Sequence, residues 1–217
     1  SSNKISETEL KGLALKATDM VKVVPEDEYS FIASKKLLAD NPIDNSINID
    51  SFDKKEPSVE ELRSKTQLLE ESALNVSKLI KSDGAQASWS KSKTSLVTSN
   101  GFIGQNHKTY NSISVVVIGK KNGKMERDYE FSSKVYFNDL EDSKKVGKKA
   151  SENVLKKLGS IKPNTGKFPI IFIPRVANSI AGHIASSLNG SSIARGTSFL
   201  KDYMSHNMFS KELHVID

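Results

Sequence analysis

The chain has 217 residues, 36% of them hydrophobic and 27% charged, and it contains no cysteine. That length supports one or two domains with a substantial core. The missing cysteines exclude disulfides, thiolate metal sites and a thiol nucleophile. The net charge of +6 is uneven: residues 1–80 hold 11 Lys/Arg against 15 Asp/Glu, and residues 81–217 hold 21 against 11. Such asymmetry can mark a nucleic-acid surface, but it more commonly reflects solvated helix faces. No apolar run approaches the roughly 20 residues of a membrane span. The start, SSNKISETEL, lacks the basic and apolar regions of a secretory signal, so a cytoplasmic location is expected.

The first helix is expected at ETEL, with Ser6 as cap, Glu9 completing a capping box, and an apolar stripe through Leu10, Leu13, Ala14, Ala17 and Met20–Val21. Pro25 stops it. Residues 26–56 are polar and without sustained periodicity, and read as an excursion with short structure around SFIASKKLL. A second helix opens at Ser58, again with a capping box through Glu61, and its stripe continues to Leu79–Ile80. From Gly84 the period changes to two. GAQASWSKSKTSLVTSNGFIG alternates around a turn at SNG, and TYNSISVVVIGKKNGKMERDYEFSSKVYF then reads as two further strands joined at KKNGK, so an antiparallel sheet of at least four strands is expected.

A third helix spans Leu140 to Leu158, with Val146, Ala150 and Val154 inward and its six lysines mainly outward, and Gly159 ends it. A buried strand, Phe168 to Ile173, then feeds a last helix carrying His183. The expected class is α+β: an antiparallel sheet packed by long helices, followed by a strand–helix unit. The expected division is a domain at 1–159 and the beginning of a second at 160–217.

Chemistry-bearing patterns are few. His107, His206 and His214 have no ligand spacing, and no GxSxG elbow, P-loop or GxGxxG occurs. The basic helix at Lys144–Lys157 lacks interleaved aromatics, and arginine is scarce, which argues against nucleic acid. The loop Asn189–Phe199 places Asn189, Gly190, Arg195, Gly196 and Ser198 between helices, where exposed backbone N–H groups can receive a peptide carboxylate or carbonyl. As a plain connector it would need no ligand.

NGKMERDYEF (Asn122 to Phe131), the opening SSNKISETELKGLALKATDMVK and the closing IFIPRVANSIAGHIASSLNGSSIARGTSFL together resemble the TldD/PmbA family, in particular its PmbA (TldE) branch. The catalytic branch carries HExxxH on the last helix, where two imidazoles grip zinc and the glutamate activates water. The matching positions here are Asn178, Ser179 and His183, so two of the three are lost and one imidazole cannot assemble a tight site. The resemblance implies a cytoplasmic heterodimer acting on unfolded peptides. The zinc sits in a TldD-like partner, while this chain holds no cofactor and has no catalytic residue. It also implies a middle portion of a longer protein. The family's historical label, modulator of DNA gyrase, comes from processed peptide inhibitors and antitoxins. Two other readings compete: a nucleic-acid or gyrase-binding module acting through the basic half, and a peptidase with a metal site assembled elsewhere around His183.

Overall fold

A computed structural model describes residues 6–27, 30–38, 49–208 and 210. The architecture is α+β, in two compact units: Ile32–Asn164, and Ser1–Phe31 together with Thr165–Asp217.

The first of these units is a three-stranded antiparallel sheet in the order β1-β2-β3, with β1 at Ile80–Val97, β2 at Ile103–Lys121 and β3 at Lys124–Lys134. The sheet expected to have four strands has three among the described residues, because the segments on either side of Tyr110 are one unbroken strand of 19 residues. No turn residue interrupts them, so pairing with β1 continues from Ile103 to Gly119. The KKNGK hairpin is a two-residue turn, with Asn122 at φ 50 and Gly123 at φ 77. Those are the positive values that match the twist of the flanking strands.

Two helices cover one face of the sheet: α2, Val59–Leu74, and α3, Ser143–Lys157. The capping box of α2 forms as expected: the Ser58 N–H donates to Glu61 Oε2 at 2.9 Å, and the Glu61 N–H donates to Ser58 Oγ at 3.2 Å. The helix ends at Leu74, short of the expected Ile80, and Ile80 instead begins β1. The core joins Leu69 and Ala73 of α2, Val146, Ala150 and Val154 of α3, and the alternate residues Ile113, Val115 and Val117 of β2, all nearly or fully buried. Period-two burial along β2 is what a sheet covered on one face requires.

The helices approach each other at Gly147, where a Cβ would lie 2.2 Å from Ser72 Oγ and 2.3 Å from the Leu69 carbonyl oxygen. Nearby, Ser151 Oγ donates to the Ala73 carbonyl at 2.8 Å.

Under α3, β3 presents carboxylates where β2 presents aliphatics. Asp128 and Glu130 are buried, and they pair with Lys157 at 2.9 Å and Lys149 at 3.1 Å. Two lysines expected on the outer surface of α3 therefore turn toward the sheet. Their long aliphatic stems let the ammonium reach a neighbouring strand while the other end stays hydrated.

In the other unit, α1 spans Glu7–Val21. Its expected capping box is replaced by a side-chain pair, Ser6 Oγ donating to Glu9 Oε2 at 2.9 Å, and no residue of the helix is buried. The buried strand expected at Phe168–Ile173 is a correction. Among the described residues the segment joins no sheet, and Ile171 is 93% exposed. A strand exists only through a partner's hydrogen bonds, and none of the described strands lies beside it. Among the described residues no helix is long and apolar enough to cross a membrane.

Gly147→Ala should destabilise the sheet unit by about 1–3 kcal/mol, since the contacting Leu69 atom is backbone and cannot swing aside. Urea unfolding monitored at Trp89 reads this directly. Glu61 is held below its ordinary carboxyl range, first by the Lys55 hydrogen bond and then by the Ser58 N–H. A lowered folded value means stabilisation that is complete above the unfolded value, about 4.3, and is lost as pH falls through the folded one. The stability difference between the natural chain and Glu61→Gln should be constant near neutral pH and shrink toward zero in acid.

Candidate functional site

The last long helix, α4 (Pro174–Ser187), begins where its sequence says it should. Pro174 occupies the first turn, where its missing N–H costs nothing, and Ile173 before it is extended. Asn178, Ser179 and His183 all lie on this helix and all are exposed. The Ser179 hydroxyl donates back to the Val176 carbonyl at 2.7 Å, a local bond that leaves no carboxylate-like function. His183 contributes only its backbone: its carbonyl accepts from Ser187 Oγ at 2.7 Å.

These three positions do not fit zinc. A tight site needs three or four imidazole, thiolate or carboxylate donors converging on one point, and an amide, an alcohol and one imidazole are not such a set. Among the described residues there is no group of three or more His, Cys, Asp or Glu able to hold a metal ion. His107 packs edge-on to Phe52 with centroids 5.7 Å apart, and His206 Nδ1 lies 2.9 Å from the Met204 carbonyl. His214 lies outside the described residues.

The Asn189–Phe199 segment, expected as an open loop, is half helix. Gly190–Ala194 forms the short α5, capped by Asn189, whose Oδ1 accepts from the Ser192 N–H at 3.2 Å. Gly196 at φ 69 then reverses the chain. Arg195 pairs with Asp27 at 3.5 Å, both partly exposed, a contact of little energetic weight. Ser198 is the position that sequence reasoning misplaced. It is buried: its Oγ donates to the Ser187 carbonyl at 2.7 Å and accepts from the Leu200 N–H at 3.1 Å. The structure brings Ser187 and Ser198 together into a knot that ties the end of α4 to the segment after α5. A serine-rich run gives no sign of which hydroxyl will be buried. The loop's backbone amides are largely used locally, with the N–H groups of Thr197 and Ser198 both donating to the Ser192 carbonyl.

Sequence reasoning also missed an open groove of about 670 Å³ between α2 and α3, lined by Leu68, Glu71, Ser72, Asn75, Val76, Lys144 and Lys148. It contains no imidazole or thiol.

Fold and site together define an α+β protein whose last long helix carries an amide, an alcohol and one imidazole, with no group of metal ligands among the described residues. The model of the PmbA/TldA metallopeptidase central domain matches residues 52–158, and that of the PmbA/TldA metallopeptidase C-terminal domain matches residues 165–217. The chain belongs to this family, on its PmbA (TldE) side.

It is 30% identical over 187 residues to the metalloprotease PmbA of Escherichia coli O157:H7, covering 86% of this chain and 41% of that protein. To a PmbA homologue of Haemophilus influenzae it is 26% identical, covering 94% of this chain and 45% of that protein. The chain thus spans less than half the length of the curated relatives it matches. Among solved structures, a candidate modulator of DNA gyrase from Bacteroides thetaiotaomicron superposes with a TM-score of 0.72 at 25% identity, over 92% of this chain and 45% of the other. TldE from Thermococcus kodakarensis superposes at 0.60 and 15% identity, over 92% of this chain and 44% of the other, a likeness of fold alone.

Ser198→Ala removes a buried donor and acceptor and should cost about 1 kcal/mol locally. Amide exchange at the end of α4 and in α5 should accelerate several-fold, while the exposed control Asn178→Ala changes neither.

Proposed function

We propose that this chain is the non-catalytic, TldE-like subunit of a cytoplasmic zinc metallopeptidase, pairing with a TldD-like subunit that binds the metal and cleaves unfolded peptides. The single observation carrying this reading is the donor set of α4, where Asn178 and Ser179 stand at the positions of a ligand and a base, leaving His183 alone. A metallopeptidase scaffold without ligands retains the shape of a chamber wall while contributing no Lewis acid.

The exposed character of α4 supports a surface that another chain covers. Only Ser187 is buried, and Val176, Ile180 and Leu188 remain substantially open. In this reading α4 and the Asn189–Phe199 segment face the partner's active site and limit which peptides reach it. A nucleic-acid role for α3 gains no support from its lysines, of which two turn toward the sheet and two more pair with carboxylates at the helix surface. Lys149 and Lys157 meet β3, and Lys145 and Lys148 pair with Glu141 at 3.5 Å and Glu152 at 3.7 Å.

Peptidase activity on an unfolded substrate, assayed with this protein alone, the zinc subunit alone and the two mixed, tests the reading. Activity confined to the mixture, and lost when Val176 and Ile180 are both replaced by Asp, is the expected result. Chelator-sensitive activity from this protein alone would overturn it.

A further inference from the structure

Three Asn–Gly pairs occur in the chain, at 100–101, 122–123 and 189–190. An asparagine amide is open to attack by the backbone nitrogen of the following residue, and glycine gives that nitrogen its freest approach because it has no Cβ. The fold decides which of the three pairs can react.

Asn100 is tied at both ends of its amide. Its Nδ2 donates to the Ala33 carbonyl at 2.7 Å, and its Oδ1 accepts from the Thr98 hydroxyl and, at 3.4 Å, from the Phe102 N–H. The Gly101 N–H, which would have to attack, already donates to the Thr98 carbonyl at 3.1 Å. Asn189 is tied as the cap of α5. Its Oδ1 accepts from the Ser192 N–H at 3.2 Å, while its carbonyl accepts from Ser192 and Ile193 at 3.0 and 3.1 Å. Ring closure there requires the cap and the first turn of the helix to let go together.

Asn122 has none of these restraints. With Gly123 it forms the tip of the β2–β3 hairpin, where both residues are exposed. Among the described residues neither its side-chain amide nor the Gly123 N–H has a hydrogen-bond partner. Nothing lies within 4 Å of where a Cβ on Gly123 would stand. The left-handed backbone at Asn122 holds the amide away from the attacking nitrogen, so the tip must open before the ring can close. Only the Lys121–Lys124 pair closes this two-residue turn, and such local opening costs far less than global unfolding. Lys120, Lys121 and Lys124 flank the pair in the chain, and their positive charge favours the deprotonated amide nitrogen that attacks.

We propose that Asn122 is a site of spontaneous deamidation, reacting ahead of Asn100 and Asn189. Hydroxide takes the Gly123 amide proton, the nitrogen bonds to Asn122 Cγ, and the Cγ–Nδ2 bond breaks with release of ammonia, leaving a succinimide. Water then opens the ring. Cleavage between the Gly123 nitrogen and Cγ gives aspartate, and cleavage between that nitrogen and the Asn122 backbone carbonyl carbon gives isoaspartate. Either product sets a carboxylate among the three lysines, and isoaspartate adds a backbone atom to a turn that has room for two residues only.

Incubating the whole protein in mildly alkaline heavy-oxygen water, then digesting it with chymotrypsin in ordinary water for mass spectrometry, tests this. Heavy oxygen should enter residue 122 roughly tenfold faster than residue 100 or 189, as a mixture of aspartate and isoaspartate. Asn122→Gln should abolish most of the label at that position, because a glutamine amide cannot form the five-membered ring. In urea the three pairs should react at similar rates, since the fold is what separates them. Faster reaction at Asn100 or Asn189, an unlabelled residue 122 in the folded protein, or the same spread of rates in urea would each overturn the proposal.

Discussion

The spacing of α2 and α3 over the sheet is set by the absence of a side chain at Gly147. With Leu69 and Ala73 on one side and the α3 backbone on the other, the helices are close enough for Ser151 to reach the Ala73 carbonyl, a contact between main chain and side chain across two elements. Close packing of this kind propagates, because interiors at crystal-like density cannot absorb a shift at one point without moving the next. Leu69, Val146, Ala150 and Val154 reach the alternate residues of β2 only at that separation.

The face of the sheet under these helices changes character from strand to strand. Along β2 it is aliphatic, through Ile113, Val115 and Val117, and along β3 it is acidic, through Asp128 and Glu130. The buried carboxylates are compensated by Lys157 and Lys149, whose side chains stay about half exposed, so the desolvation falls mainly on the acids. Pairs of this kind add little net stability but penalise any register that leaves a carboxylate buried alone. A one-residue slip of β3 would also carry its whole acidic set to the other face. The exposed ribbon at the far end of β1 and β2 has no such acids, and there the lysines face solvent.

The helix α4 is held at both ends by features of its own stretch of chain. The start of α4 at Pro174 and the Ser187–Ser198 knot that ties its end are local features that require no metal. Asn178 and Ser179 are compatible with the helix because both are exposed and ask nothing of the surrounding packing.

Much of the fold was legible in the residues themselves. The capping box at Ser58 and Glu61, the inward stripe Val146–Ala150–Val154 and the Asn122–Gly123 turn are local signals whose physics is complete within a few residues. So is the donor chemistry of Asn178, Ser179 and His183, since ligand capacity is a property of the side chain. Pairing was not legible. The alternation before Tyr110 suggested a break where β2 runs on, and the apolar run Phe168–Ile173 suggested a strand that has no described neighbour. Nor could sequence tell that Lys149 and Lys157 turn inward or that Ser198 is the buried serine. The sequence by itself determined the starts of α2 and α4, the Asn122–Gly123 turn and the donor chemistry of α4, because each depends on near neighbours along the chain. Tertiary structure alone decided strand count, the direction of the α3 lysines and the burial of Ser198, because each depends on what distant residues place alongside.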